Sequence, residues 1–261
     1  MKEVVIYWII LALKWIQTQI LDRILEYFLQ FSTLKGSLIA QKERLHRYSS
    51  SAQRVKIWAR GAYSSASVHG LNNFLFSHVQ NCHPETILQL DNVTLQGVNG
   101  QYAWFCVTDP GVNVYDLNKF PFVWVAQYLM ARELIILPIW AFIKLSNDKL
   151  DDPGSNGKDV FMLFNTARCG STLFCQMFDK IPNTRSMSEP WATVVAHVNY
   201  NGGLITHLGD DYENIIKACI KIQCKNENKA KIKRIFYKQA SWASAQVSCF
   251  TIPLKYHYFV K

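Results

Sequence analysis

The apolar and polar positions divide the chain into a helical start, a middle region with turn signals, and a final region of strands and helices. Residues 4–13, VVIYWIILAL, are all apolar, and beyond Lys14 apolar residues recur at helical spacing through Phe28. We therefore predict one long helix over residues 3–31. Its apolar run is shorter than the roughly 20 residues that a spanning helix needs. The helix is still a candidate membrane anchor or interfacial helix, because one of its faces is apolar. Packing on the rest of the protein is the alternative.

The middle region, residues 32–150, is expected to be helical and partly β. Its first part, through residue 67, is polar and basic and predicts a helix followed by a loop. Between residues 87 and 117, strand-like runs are broken by Gly-Val-Asn-Gly and Asp-Pro-Gly, which predicts a small antiparallel unit. The apolar run over residues 123–145 has Arg-Glu at its centre, which disfavours a membrane span. We predict a buried helix there, bent at Pro138.

The final region, residues 151–261, begins after a polar loop and predicts an α/β arrangement. VFMLF, at 160–164, is a short apolar run typical of a buried parallel strand. The apolar residues that follow predict a helix with one apolar face, formed by Leu173, Phe174, Met177 and Phe178. Further elements are predicted as helices over 197–224 and 241–247 and as strands at RIFYK (234–238) and KYHYFVK (255–261).

Composition favours a globular protein with anionic partners. The 261-residue chain is 49% hydrophobic and only 18% charged, with a net charge of +9. The Lys-rich stretch 225–238 lacks the interleaved aromatic residues of a nucleic-acid site, so nucleic acid is not expected as a partner. Seven cysteines without two closely spaced ligand pairs predict small buried side chains rather than zinc ligands, and no metal site is expected.

The stretch TARCGSTL lies between the predicted strand and helix, where a loop can bind an anion through backbone N–H groups and the helix dipole. Gly170 lets the backbone approach a ligand, Ser171 and Thr172 add hydroxyl donors, and Arg168 adds a charged fork suited to phosphate or sulfate. The nucleotide-triphosphatase pattern G-x-x-x-x-G-K-[ST] is not met, because Asn165 replaces its first Gly and Ser171 its Lys. A serine-capped turn without a ligand is the structural alternative.

This loop resembles the 5′-phosphosulfate-binding loop of the sulfotransferases, enzymes of the P-loop fold that use 3′-phosphoadenosine 5′-phosphosulfate (PAPS). The matching pattern is Thr166-x-Arg168-x-Gly170-Ser171-Thr172, with Arg where cytosolic members carry Lys, as in many membrane-bound and carbohydrate-type members. IPNTRSMSEPW resembles the family's stretch in which the first helix ends and a Glu follows. FYKQASWASAQV resembles its second strand and helix. The resemblance covers residues 158–261 and leaves residues 1–150 unexplained.

The resemblance implies a P-loop-type parallel sheet flanked by helices, preceded by the helical and partly β region. It implies that the 5′-phosphosulfate is held by Thr166, Arg168, Cys169, Gly170, Ser171 and Thr172. Glu189 resembles the catalytic base of some Golgi sulfotransferases, and Arg168 would also stabilise the leaving phosphate in catalysis. His197 and His207 are rival bases, and Lys238 is a weaker candidate for a position near the cofactor. The implied reaction transfers a sulfuryl group from PAPS to an unknown hydroxyl acceptor, carbohydrate being one class, without a metal.

The family's Arg and Ser that bind the 3′-phosphate, and its lid over the adenine, have no counterpart before Lys261. We therefore expect either a truncated chain or a protein that does not catalyse sulfation. Another P-loop nucleotide enzyme, such as a small-molecule kinase, is one alternative function. A non-catalytic, membrane-associated remnant is another, and both a Golgi-type membrane location and a cytoplasmic one fit the sequence.

Overall fold

A five-stranded antiparallel sheet, sheet A, is formed by the first half of the chain. The computed structural model describes residues 47–61, 70–153, 159–165, 169–194, 211–225, 232–240 and 257–260. The strands of sheet A are β1 (Ala52–Arg60), β2 (Phe74–Cys82), β3 (Val93–Val98), β4 (Tyr102–Thr108) and β5 (Ala131–Pro138). Their order is β2-β1-β5-β4-β3, and every neighbouring pair is antiparallel.

A second sheet, sheet B, is parallel and is formed by the second half of the chain. Its strands are β6 (Asp159–Phe164), β7 (Thr184–Ser188), β8 (Arg234–Lys238) and β9 (His257–Val260), in the order β7-β8-β6-β9. The α-helices with defined bounds are α1 (Thr86–Gln89), α2 (Val123–Met130), α3 (Ile139–Lys149), α4 (Ser171–Asp179) and α5 (Asp211–Gln223). The described residues therefore form an α/β arrangement with one antiparallel and one parallel sheet.

Strands β4 and β5 are buried on both faces of sheet A. Alternate residues of a strand face opposite sides of the sheet, and each side is covered by a different hydrophobic cluster. On one face, Phe105 and Ile135 join a hydrophobic cluster that also contains residues of α3, α5 and the inner strands of sheet B. On the other face, Trp104 and Ile136 pack with residues of α2 and with Trp191. The second cluster matters for function, because it brings α2 towards the carboxyl edge of sheet B.

Several predicted elements are confirmed. The antiparallel unit is present as the β3–β4 hairpin, VFMLF and RIFYK form β6 and β8, and the alternating segment KYHYFVK contains β9. The helix after the loop is α4, and α5 confirms the part of the predicted helix from residue 211. Strand β7 was missed, since TRSMS is mostly polar although every residue of it is buried.

The single buried helix predicted over residues 123–145 is wrong. The run divides into α2, then β5 at the centre of sheet A, then α3. A continuous apolar run does not distinguish a buried helix from a strand covered on both faces, and hydrogen bonds from β1 and β4 on either side decide for the strand. The helix and loop predicted over residues 32–67 are also wrong for Ala52–Arg60, which is strand β1. The part of this prediction before residue 47 lies outside the described residues.

The apolar face predicted for α4 is only partly buried. Phe178 stacks on Phe236 with ring centroids 4.1 Å apart, and Phe174 meets the same ring edge-on. Leu173 and Met177 are 64% and 60% exposed. The side chain of α4 that reaches the core is instead Cys175, which has no exposed surface.

Some predictions fall on residues that the structure does not describe. These are the long helix over residues 3–31, the helix at 241–247 and the part of the predicted 197–224 helix before residue 211. In the part of the chain that is described, no helix has the length and apolar character needed to cross a membrane.

Replacing Gly97 with alanine is expected to lower the free energy of unfolding by about 2 kcal/mol, because the added methyl group would overpack the core at this point. Gly97 faces Trp104 across the β3–β4 ladder, and an added Cβ would lie 2.3 Å from Trp104 Cζ2. Trp104 is fully buried and cannot move aside. Urea denaturation measures the loss. In a Trp104→Leu background the same substitution should cost much less, and strictly additive losses would contradict the clash.

Candidate functional site

The candidate site lies at the carboxyl edge of sheet B, where the ends of parallel strands meet. In open α/β sheets, ligands bind in the crevice outside this edge. Polar residues follow or end each of three neighbouring strands there: Asn165 follows β6, Glu189 follows β7, and Lys238 ends β8. The loop that the sequence predicts as an anion site leaves β6 at the same edge and leads into α4.

A buried ion pair occupies the centre of this edge. Lys238 Nζ lies 2.5 Å from Glu189 Oε1 and 3.3 Å from Thr172 Oγ1, which is in the first turn of α4. The side chains of Lys238 and Glu189 are 2% and 18% exposed. Three elements therefore converge on one ammonium group, and these contacts use two of its three donors.

The backbone of the sheet places Glu189 beside Lys238. Ser188 pairs with Lys238 in the parallel ladder between β7 and β8, and the backbone N–H of Glu189 donates to the Lys238 carbonyl oxygen at 2.9 Å. Glu189 has a φ of 52°, in the left-handed region that non-glycine residues adopt at a cost of about 1–3 kcal/mol. Such strain clusters at functional sites, so this backbone outlier supports a role for Glu189 beyond packing.

The loop turns sharply into α4 at Gly170. Gly170 has a φ of 81° and is the residue before the helix, and its carbonyl accepts the first helical hydrogen bond, from the Phe174 N–H. Because φ is positive, a side chain here would be strained although the space around it is open. Ser171 and Thr172 then form the first helical turn, whose N–H groups and dipole favour an anion.

An aromatic wall closes one side of the ion pair. The Phe122 ring centroid lies 5.4 Å from Lys238 Nζ and 6.0 Å from the nearly parallel Trp124 ring, and Trp124 lies 5.7 Å from Trp191. Phe122 directly precedes α2, so residues packed on sheet A contribute to a site on sheet B. A cation over an aromatic face is stabilised by the ring quadrupole, which helps to hold the ammonium in place.

The cysteines near the site differ in environment. Burial raises the pKa of the Cys175 thiol to about 12, so this side chain is neutral at physiological pH and acts as a small apolar group. Cys169, in the loop, is exposed, and its Sγ lies 4.0 Å from Asn165 Oδ1. Cys106, Cys219 and Cys224 are buried as the composition predicts. The described residues contain no group of three or more His, Cys, Asp or Glu side chains placed to hold a metal ion.

The structure brings part of the predicted site together. Gly170, Ser171 and Thr172 lie at the loop–helix junction, and Glu189 is linked to Thr172 through Lys238. Thr166, Arg168, His197 and His207 lie outside the described residues. Lys238, a weaker candidate in the sequence, is the central cation.

Sequence reasoning gave Asn165 and Phe122 no role in the site. A polar residue directly after a buried strand is a signal for Asn165. Nothing in the local sequence points to Phe122, which arrives through the packing of α2.

Fold and site together define an α/β protein with a polar, strained and largely buried site at the carboxyl edge of a parallel sheet. Comparison with known proteins finds no match to a protein-family model, to a curated protein or to a solved structure.

Proposed function

We propose that the chain is a sulfotransferase of the P-loop fold that transfers a sulfuryl group from PAPS to a hydroxyl acceptor. The observation that carries the proposal is the contact of Lys238 with both Thr172 and Glu189 at the start of α4. An anion bound at this helix end would meet a cation, a hydroxyl donor and backbone N–H groups together. Glu189, whose side chain contacts the same cation and is 18% exposed, is the candidate base for an incoming acceptor.

Lys238 can supply the cation that the loop lacks at its usual lysine position. The nucleotide-triphosphatase pattern places its Lys directly after the last loop Gly, a position that Ser171 takes here. The ammonium of Lys238 reaches the first turn of α4 from a neighbouring strand instead, 3.3 Å from the Thr172 hydroxyl. With Arg168 from the loop, the site would have two cations for the phosphosulfate.

The proposed reaction is an in-line displacement at sulfur. The acceptor oxygen attacks the sulfur atom, and the bond between sulfur and the bridging phosphate oxygen breaks. Glu189 accepts the acceptor's proton, and the negative charge that develops on the leaving phosphate is stabilised by Lys238, Arg168 and the N–H groups of α4.

The first test is calorimetric binding of 3′-phosphoadenosine 5′-phosphate and of PAPS to the full chain. We expect micromolar binding that weakens by about 10- to 100-fold in Arg168→Ala, since a charge-assisted contact is lost. Arg132→Ala is the matched control, because Arg132 pairs with Asp109 in an exposed ion pair on sheet A. It should leave the affinity unchanged.

Three outcomes would count against the proposal. Preferential binding of ATP with magnesium would favour the kinase alternative. Equal losses in Arg168→Ala and Arg132→Ala would mean that the loop is not the binding site. Absence of nucleotide binding by a well-folded chain would favour a non-catalytic function.

A further inference from the structure

Asn165 connects the anion-binding loop to the strand that carries Lys238. Its side chain is 7% exposed, and its Nδ2 donates to the Gln239 carbonyl oxygen at 2.6 Å. Its Oδ1 accepts a hydrogen bond from Ser171 Oγ at 3.3 Å. One side chain at the start of the loop therefore holds both the residue that begins α4 and the backbone directly after Lys238.

We infer that Asn165 is a positioning residue that sets residues 169–170 and the start of α4 relative to Lys238. Both polar atoms of the Asn165 side chain are needed. The Gln239 carbonyl can only accept and therefore needs the Nδ2 donor, and the Ser171 hydroxyl donates and therefore needs the Oδ1 acceptor. The backbone N–H of Gln239 also donates to the Leu163 carbonyl at 3.0 Å, so the β8 end of this connection is itself fixed to β6. The role of Asn165 in nucleotide binding rests on the proposed function, but its role in ordering residues 169–174 does not.

The substitution Asn165→Asp tests the donor specifically because it keeps the shape of the side chain. The ionised carboxylate still accepts from Ser171 but offers no proton to Gln239 and faces its carbonyl oxygen. Burial and the Gln239 carbonyl, 2.6 Å from Nδ2, raise the pKa of the introduced carboxyl, whereas the N-terminal end of α4 and the Lys238 ammonium favour the carboxylate. We expect the direct repulsion from the carbonyl oxygen to dominate, so that mild acid protonates the group. Once protonated, it has an O–H donor again. The variant should therefore lose loop order at higher pH and regain it at lower pH, which a general packing defect would not do.

The primary measurement is amide hydrogen exchange of residues 169–174 in the full chain without ligand, read as the ratio of variant to wild-type rates. At about pH 8 we expect this ratio to be about fivefold or more in Asn165→Asp, corresponding to one lost hydrogen bond. At about pH 5 the ratio should return towards one as the carboxyl is protonated. Ser171→Ala, which removes the Ser171 hydroxyl donor to Oδ1 and leaves the contact of Cys169 Sγ, should raise exchange by a smaller factor without pH dependence.

The secondary measurement is affinity for 3′-phosphoadenosine 5′-phosphate at the same two pH values, again as a ratio to wild type. Asn92→Asp is the matched control, because Asn92 Nδ2 makes the same kind of bond, to the Thr108 carbonyl in sheet A. It should leave both the loop exchange and the affinity as in the wild type.

The inference is overturned if loop exchange in Asn165→Asp equals that of the wild type at both pH values, or if its increase does not reverse in acid. It is also overturned if Asn92→Asp raises loop exchange equally, since the effect would then be global. A wild-type chain that binds no nucleotide would refute the proposed function alone, while the exchange data would still decide the role of Asn165.

Discussion

Replacing Lys238 with methionine is expected to abolish nucleotide binding and to lower the free energy of unfolding by about 3 kcal/mol. Methionine fills similar space but leaves the largely buried Glu189 carboxylate without its cation and Thr172 Oγ1 without this contact. Removing one partner of a buried pair costs about 3–5 kcal/mol, and the partial exposure of Glu189 favours the lower end of this range. Affinity is lost because the same ammonium would bind the anion.

The two effects of Lys238→Met are separated by the double variant Lys238→Met/Glu189→Gln. Removing the carboxylate charge should recover much of the stability measured by urea denaturation, while calorimetry should still detect no binding of 3′-phosphoadenosine 5′-phosphate. Wild-type affinity in a folded Lys238→Met protein would show that the cation is not part of an anion site. A destabilisation that persists in the double variant would show that packing, rather than charge, is the main contribution of this side chain.

Replacing Lys225 with methionine is expected to lower the free energy of unfolding by about 4 kcal/mol without changing nucleotide affinity. Lys225 is buried, and its Nζ donates to the carbonyl oxygens of Ile87, Leu90 and Val93 at 2.7, 3.3 and 2.9 Å. The ammonium thus joins the residues just after α5 to the segment that runs from α1 to the start of β3. Methionine would leave three carbonyl oxygens without a charged donor, and each such bond is worth about 1.5–3 kcal/mol. Part of this loss is offset because an ammonium no longer has to be desolvated.

Urea denaturation of Lys225→Met should be compared with that of Lys217→Met, which replaces a lysine within α5. Lys217 lies 4.0 Å from Glu213 in a largely exposed pair, so its loss should cost less than about 0.5 kcal/mol. Similar destabilisation of the two variants would mean that the three carbonyl contacts add nothing. A loss of nucleotide binding in Lys225→Met, at a temperature where it is folded, would link this region to the site in a way that its contacts do not predict.

Local patterns predicted elements where one interpretation was physically favoured. VFMLF, flanked by polar turns, is too short for a helix and too apolar for a loop, and it forms β6. The same criterion missed TRSMS, because most of its residues are polar and its burial comes from its place in the sheet rather than from an apolar sequence. Residues 123–145 are apolar throughout, so their division into α2, β5 and α3 depends on the strands that flank β5.

By itself, the sequence determined strands β6, β8 and β9, the helix after the loop and the turn at Gly170, because these follow from local apolar or alternating runs and from backbone freedom. It also indicated the residue types that suit an anion. Only the tertiary structure decided that Lys238, Glu189, Thr172 and Phe122 meet. These residues lie up to 116 positions apart in the chain, and what brings them together is the strand order of sheet B and the packing of α2 across sheet A. Long-range pairing of this kind is set by burial and hydrogen bonding between segments, which no local pattern of residues encodes.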